Sequence, residues 1–300
     1  MGMRTIFLLL LLAPSSLTAD PPAAVVNGEE IPMVAVERII AQRPHGSSPL
    51  TASLIADLRR AALEERIDEI LLKQFLTKEK ITVREADVDE QLRVLGESLA
   101  KRGSSLDAFR KESGLTDTDL RDQFRVLIGF EKFAERTGTP DELKKFHTLH
   151  KDYFDGVRVK AEALLVRVPA GATVSERNAA KLKAESISKS CQADPTAFTT
   201  YAQSIPYHLG NASIGWVSRF DSLVEETVAA AATSLAVGQV SSPISILTGF
   251  VIVKCIERTP PKTRPFDEIV DWVQETYAGS LRQVVIARQR QTATITITRP

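Results

Sequence analysis

His147 and His150 stand three residues apart in FHTLH, a spacing that puts two imidazoles on one face of a helix and offers a metal two nitrogens. A zinc site takes at least three protein ligands. No third histidine or cysteine lies near this pair, so both read as packing or surface residues, and no metal or other cofactor is expected. The two cysteines, Cys191 and Cys255, read as a helix-end residue and a small buried hydrophobe on a strand. An oxidising compartment also permits a disulfide between them, and that alternative stays open. Asn211-Ala212-Ser213 fits a glycosylation acceptor. Neither a glycine-rich phosphate loop nor a GxSxG nucleophile turn occurs, so nucleotide binding and serine hydrolysis have no support. The 38 Lys and Arg balance 38 Asp and Glu, which removes the cationic surplus that nucleic acid or an anionic membrane surface requires. The charged runs Arg59-Arg60 and Glu64-Glu65-Arg66 read as solvated helix faces.

The chain opens with Arg4, an apolar run from Ile6 to Ala13 and small residues up to Ala19, the layout of a secretory signal. The run is too short to span a bilayer, and no later segment is apolar enough to do so. Residues 1–19 are therefore expected to be removed, leaving a soluble exported protein that starts near Asp20, in a periplasm or outside the cell. With 300 residues, 43% of them hydrophobic, about two domains are expected.

The first half is nearly all helical. AAVVNGEEIP reads as a hairpin, with Asn27-Gly28 supplying the positive φ of a type I′ turn. Leu54, Leu58, Ile67, Ile70, Leu71 and Phe75 form the apolar stripe of a helix from about Ser48 to Lys78. Thr82 to Glu85 reads as a capping box before a helix carrying Val88, Leu92, Leu95 and Leu99. Thr116 opens another with Leu120, Phe124, Leu127 and Phe130 inward, and Thr139-Pro140 caps one more. From Val157 the pattern becomes βααβαββ over about a hundred residues: a strand to Val168, helices from Ser175 and Asp194, a strand at Ile214, and an Ala-rich helix capped at Ser222. Strands at Ile244 and Phe250 complete it. A proline-rich linker at 260–265, a helix from Phe266 to Arg290 and the alternating ATITITR follow. That last strand, with Ile295 and Ile297 on one buried face, needs a partner, and the N-terminal hairpin supplies it. The fold class is α+β: residues 20–156 and 260–300 form one helical module, and residues 157–259 form a domain inserted in it, built on a small antiparallel sheet.

Asp141-Glu142-Leu143-Lys144-Lys145-Phe146, Ile214-Gly215-Trp216, the turn from Leu235 to Pro243 and Thr248-Gly249-Phe250 occur in an order that resembles parvulin-type peptidyl-prolyl isomerases of the exported SurA-like chaperone group. The hairpin, the helical half and the ATITI ending resemble that group's chaperone module. The resemblance implies an apolar pocket for a proline ring, with two histidines and a Cys or Asp acting on the twisted amide. Carried onto this sequence, the histidine positions read Ala163 and Val251, and the Cys/Asp position reads Ile205. The aromatic positions on the helix read Val228 and Thr233. Gly215, Trp216, Gly238, Pro243, Gly249 and Phe250 keep the scaffold. Val251 is thus expected to be a buried strand residue in a domain that has lost its polar site. Trp216, Val224, Val228 and Phe250 are the expected lining of the peptide pocket.

Two functions follow from that resemblance. The first is a chaperone that binds unfolded or extended client polypeptides, its parvulin-like domain inactive or weak. The second is an isomerase with an atypical polar set drawn from Ser204, Tyr207, His208 and Ser213. Oligomeric state is open in both.

Overall fold

The computed structural model describes residues 21–42, 51–208, 210–220 and 223–298. The expected signal at 1–19 lies outside them, as do Ser48 and Ser222. Strands β1 (Ala24–Val26) and β2 (Glu29–Ile31) form the hairpin. Asn27 and Gly28 have φ of 50° and 89°, as a type I′ turn requires. Five helices follow: α1 (Met33–Gln42), α2 (Ala52–Lys78), α3 (Glu85–Ala100), α4 (Leu106–Ser113) and α5 (Asp117–Thr137). Ile67, Ile70 and Leu71 of α2 are buried against the hairpin, and Phe75 packs edge-on against Phe133 of α5 at 4.9 Å. Leu54 and Leu127, expected inside, are instead exposed. The Thr82–Glu85 capping box does not form. Helix α3 starts at Glu85 with Arg84 as its N-cap, so Thr82 lies two residues ahead of the cap position. An arginine side chain has no acceptor to cap with, and the Glu85 carboxylate accepts from Arg125 of α5 at 3.0 Å. Thr116 and Asp119 do form such a box at the start of α5.

Helices α6 (Pro140–Leu149) and α7 (Lys151–Phe154) lead into the inserted domain, α6 with Thr139 as N-cap and Pro140 at its first position. There β3 (Val159–Arg167), α8 (Val174–Ala193), α9 (Ala197–Ser204), β4 (Ser213–Val217), α10 (Glu226–Ser234), β5 (Ile244–Ile246) and β6 (Gly249–Arg258) give the expected βααβαββ order. The sheet is antiparallel throughout, in the order β4-β3-β6-β5. Gly249 starts β6 where a Cβ would lie 2.2 Å from the Val166 carbonyl oxygen, so no other residue fits there. One sheet face is covered by α8 and α9, with Cys191, Phe198 and Ile252 among its buried residues, and the other by α10.

The chain returns through 259–265 to α11 (Val270–Thr292) and β7 (Ile295–Ile297). Strand β7 pairs with β1, giving a sheet in the order β2-β1-β7. The two ends of the chain therefore share one small sheet, and Arg290 of α11 binds Asp68 and Glu64 of α2 at 2.5 and 2.7 Å. Ile295 packs on that core, whereas Ile297 is 45% exposed, so the expected buried face of β7 is only half realised. The outgoing and returning connections run side by side. Thr259 N–H donates to the Arg158 carbonyl at 2.9 Å, and buried Asp155 accepts from Lys262 N–H on its carbonyl and from Arg264 N–H on its carboxylate. A separate tie joins the inserted domain to α2: Arg60 donates to the Leu247 carbonyl at 2.5 Å.

Candidate functional site

Leu165 pairs with Val251 across β3 and β6, and Ala163 with Val253. Side chains alternate along a strand, so Ala163, Leu165, Val251 and Val253 all face α10. Helix α10 presents Val228, Ala229 and Ala232 to them, and the methyl side chains let its backbone settle close to the sheet. Ala163, Val228, Ala229 and Val251 have 0% exposure, so a packed core stands where a proline pocket with two histidines was implied.

Tyr207 packs on this core and brings a hydroxyl to it. Its N–H donates to the Ala163 carbonyl at 3.0 Å, and its hydroxyl donates to Glu225 Oε2 at 2.8 Å. Burial raises the hydroxyl pKa above its ordinary value, and the bond to Glu225 raises it further, so the group stays a protonated donor. Glu225 is the N-cap residue of α10, and its carboxylate serves Tyr207 rather than the helix N-terminus.

The other expected site residues disperse. Ile205 packs on the α8 and α9 side of the sheet, not beside Ala163 and Val251; two residues later, Tyr207 is the loop residue that reaches their face. His208 is exposed, with its ring 4.8 Å from that of Tyr207, and its backbone pairs with Asn211. Ser213 accepts the Gly215 N–H, and Ser204 bonds back to the Tyr201 carbonyl, so each hydroxyl serves its own turn. The four pocket residues do not line one pocket. Val224 and Val228 lie on the α10 face. Phe250 points to the opposite face, where Arg177 stands 5.4 Å over its ring, and Trp216 sits on the edge strand, 36% exposed. The alternation that aims Val251 and Val217 one way necessarily aims Phe250 and Trp216 the other. Thr233 lies on the outer side of α10, its hydroxyl bonded to the Ala229 carbonyl. Cys191 and Cys255 are both free and buried in cores on opposite faces of the sheet, so no disulfide joins them.

His147 and His150 fall in an aromatic cluster rather than a ligand set. His147 stacks 5.3 Å from Phe154, and His150 lies 4.5 Å from Phe146 and 5.1 Å from Phe220. Burial, and after it the charge of Arg219, lowers the His150 pKa to about 4. Among the described residues no group of three or more His, Cys, Asp or Glu is placed to hold a metal, and no helix is long and apolar enough to cross a membrane.

Residues 139–271 match the family model of the PPIC-type PPIASE domain. This segment is a parvulin-type domain. The parvulin match opens at the N-cap of α6 and closes in the first turn of α11, so it takes in the aromatic cluster as well as the sheet. No curated protein matches the chain by sequence. Among solved structures the chain is similar to the peptidylprolyl isomerase PrsA from Bacillus anthracis, at 18% identity and a TM-score of 0.43, covering 77% of this chain and 96% of that one. It is also similar to a structure from the pair PEB4 and Cj1289, SurA-like chaperones of Campylobacter jejuni, at 17% identity and a TM-score of 0.36, covering 94% of this chain and 100% of that one. The sequence match, not these global likenesses, identifies the parvulin domain.

Proposed function

We propose that this chain is an exported folding chaperone that holds unfolded client polypeptides, and that its parvulin domain is inactive or weak as a prolyl isomerase. The observation that carries the reading is the burial of Ala163 and Val251 at 0% exposure beneath α10, at the two positions where the resemblance implies histidines. Rotation about an X–Pro bond disrupts amide resonance. A catalyst must therefore hold the ring and offer polar groups to the twisted amide, and each such group is worth about 10²–10³ in rate. The face carries Val and Ala instead, and the Tyr207 hydroxyl beside it is bound to Glu225.

In this reading residues 20–156 and 260–300 hold the client, and residues 157–259 act as a spacer or second peptide surface. Export rests on the signal-like residues 1–19. Val34, Leu54, Val94 and Leu127 stand exposed on the helices of the first half, apolar side chains within reach of a client segment. The test is suppression of aggregation of a chemically denatured client by residues 20–300, with Tyr207→Phe and Glu225→Gln as variants. Undiminished protection is expected in both, and loss of protection in either contradicts the reading. The second reading, an isomerase with an atypical site, has one observation in its favour: Tyr207 faces Ala163 and Val251 with the His208 ring against it. It requires prolyl isomerisation that Tyr207→Phe abolishes.

A further inference from the structure

Helix α10 has a second face. Glu226, Ala230 and Thr233, spaced by four and three, turn away from the sheet toward α7 and α11. A cavity of about 440 Å³ opens there, between the segment leaving β4 and the helix α11 of the other module. Tyr153, Phe220 and Trp272 give it an aromatic wall, with Tyr153 4.9 Å from Phe220 and 5.1 Å from Trp272. Leu223 beside it is fully exposed.

Two features of this cavity have no use in packing. Gly279 lies on α11 with ordinary helical backbone, and a Cβ there would meet nothing within 4 Å. Neither the turn of the chain nor a neighbour calls for glycine, which is among the poorest helix formers; its effect is to leave the cavity open. Glu226 from α10 and Glu275 from α11 both line the space, and neither takes part in an ion pair or side-chain hydrogen bond among the described residues. Arg219, also in the lining, lies over the Phe220 ring at 5.4 Å and packs that wall of the cavity.

We infer that this cleft binds an extended peptide segment in which a large apolar side chain neighbours a Lys or Arg. The apolar side chain lies against Phe220 and Trp272 in the space Gly279 leaves. The cation sits between Glu226 and Glu275, with ring faces nearby to favour it. The inference rests on the client-holding reading and gives it a place and a sequence preference, at the joint between the parvulin domain and α11.

Trp216 and Trp272 are the two tryptophans of the chain, so Trp216→Phe leaves Trp272 as the reporter. The probe is a synthetic ten-residue peptide alternating Leu or Phe with Lys, titrated into residues 20–300 of that variant while Trp272 emission is followed. A saturable shift is expected. Replacing every Lys by Glu, or every apolar residue by Ser, removes it. Glu226→Gln with Glu275→Gln weakens binding about threefold to tenfold at low salt, the scale of two exposed ion pairs. Gly279→Leu fills the cleft and abolishes binding with the melting temperature kept or raised, whereas Gly279→Ala raises it and leaves binding in place. Equal binding of the Glu peptide, or full binding by Gly279→Leu, overturns the inference. If no peptide perturbs Trp272 while client aggregation is still suppressed, the cleft fails and client holding stands. If the peptide binds here and aggregation is not suppressed, the cleft stands and client holding fails.

Discussion

Val251 is fully buried and opposite Leu165, so a histidine there would put two ring nitrogens into a core with no partner for them. Val251→His is expected to cost about 2–4 kcal/mol, read as a lowered urea midpoint with an unchanged slope; a cost below 1 kcal/mol would show that the α10 face opens readily. His150 gives a prediction in pH. Its folded pKa of about 4 lies below the ordinary 6.5, so between those values the unfolded chain binds more protons. Its contribution is complete above about pH 6.5 and is lost as the pH falls toward 4. Because the ring is half-buried, the effect is discounted to about 1–2 kcal/mol. His150→Phe should remove that part of the acid sensitivity of the melting temperature; an identical pH profile would contradict it. At this scale the sequence made Val251 legible as a buried strand residue, since the apolar run after Gly249 admits no other reading, and the structure buries it with Ala163 on one face of the sheet. The sequence did not show that Tyr207, not Ile205, faces them, because the path of the loop after α9 depends on the bond from Tyr207 N–H to Ala163.

Among the elements, helix starts were legible where the cap is local. Thr139-Pro140 and Thr116 with Asp119 act within four residues. The box at Thr82 failed because the helix starts two residues later, with Arg84 at the N-cap and Glu85, at the first helical position, paired with Arg125 forty residues on. The crossing between modules is fixed in the same long-range way. Asp155 is 4% exposed and accepts from Lys151 Nζ at 2.8 Å and Arg264 N–H at 3.1 Å. Asp155→Ala strands that buried N–H and is expected to cost about 2–3 kcal/mol. Hydrogen exchange should then quicken at Lys262 and Arg264 before the β3–β6 core; uniform change throughout the chain would contradict a role for this residue in fixing the crossing.

At the scale of the whole molecule, the pairing of β7 with β1 was legible, because an alternating strand at one end needs a partner and the Asn27-Gly28 hairpin is the nearest candidate. The contacts that hold the inserted domain in place were not. Arg60 and the Leu247 carbonyl are 187 residues apart and carry no pattern. Arg60→Ala is expected to widen the spread of distances between labels on α2 and β6 while leaving the cores of both parts intact; an unchanged distribution would assign the placement to the aromatic cluster and the Arg167–Asp57 pair. The most direct test of the account is prolyl cis–trans exchange measured by NMR on a panel of X–Pro peptides with residues 20–300. The account predicts exchange at or close to the uncatalysed rate for every X, because the α10 face is a closed apolar core. Strong acceleration for any X that Tyr207→Phe removes would contradict it.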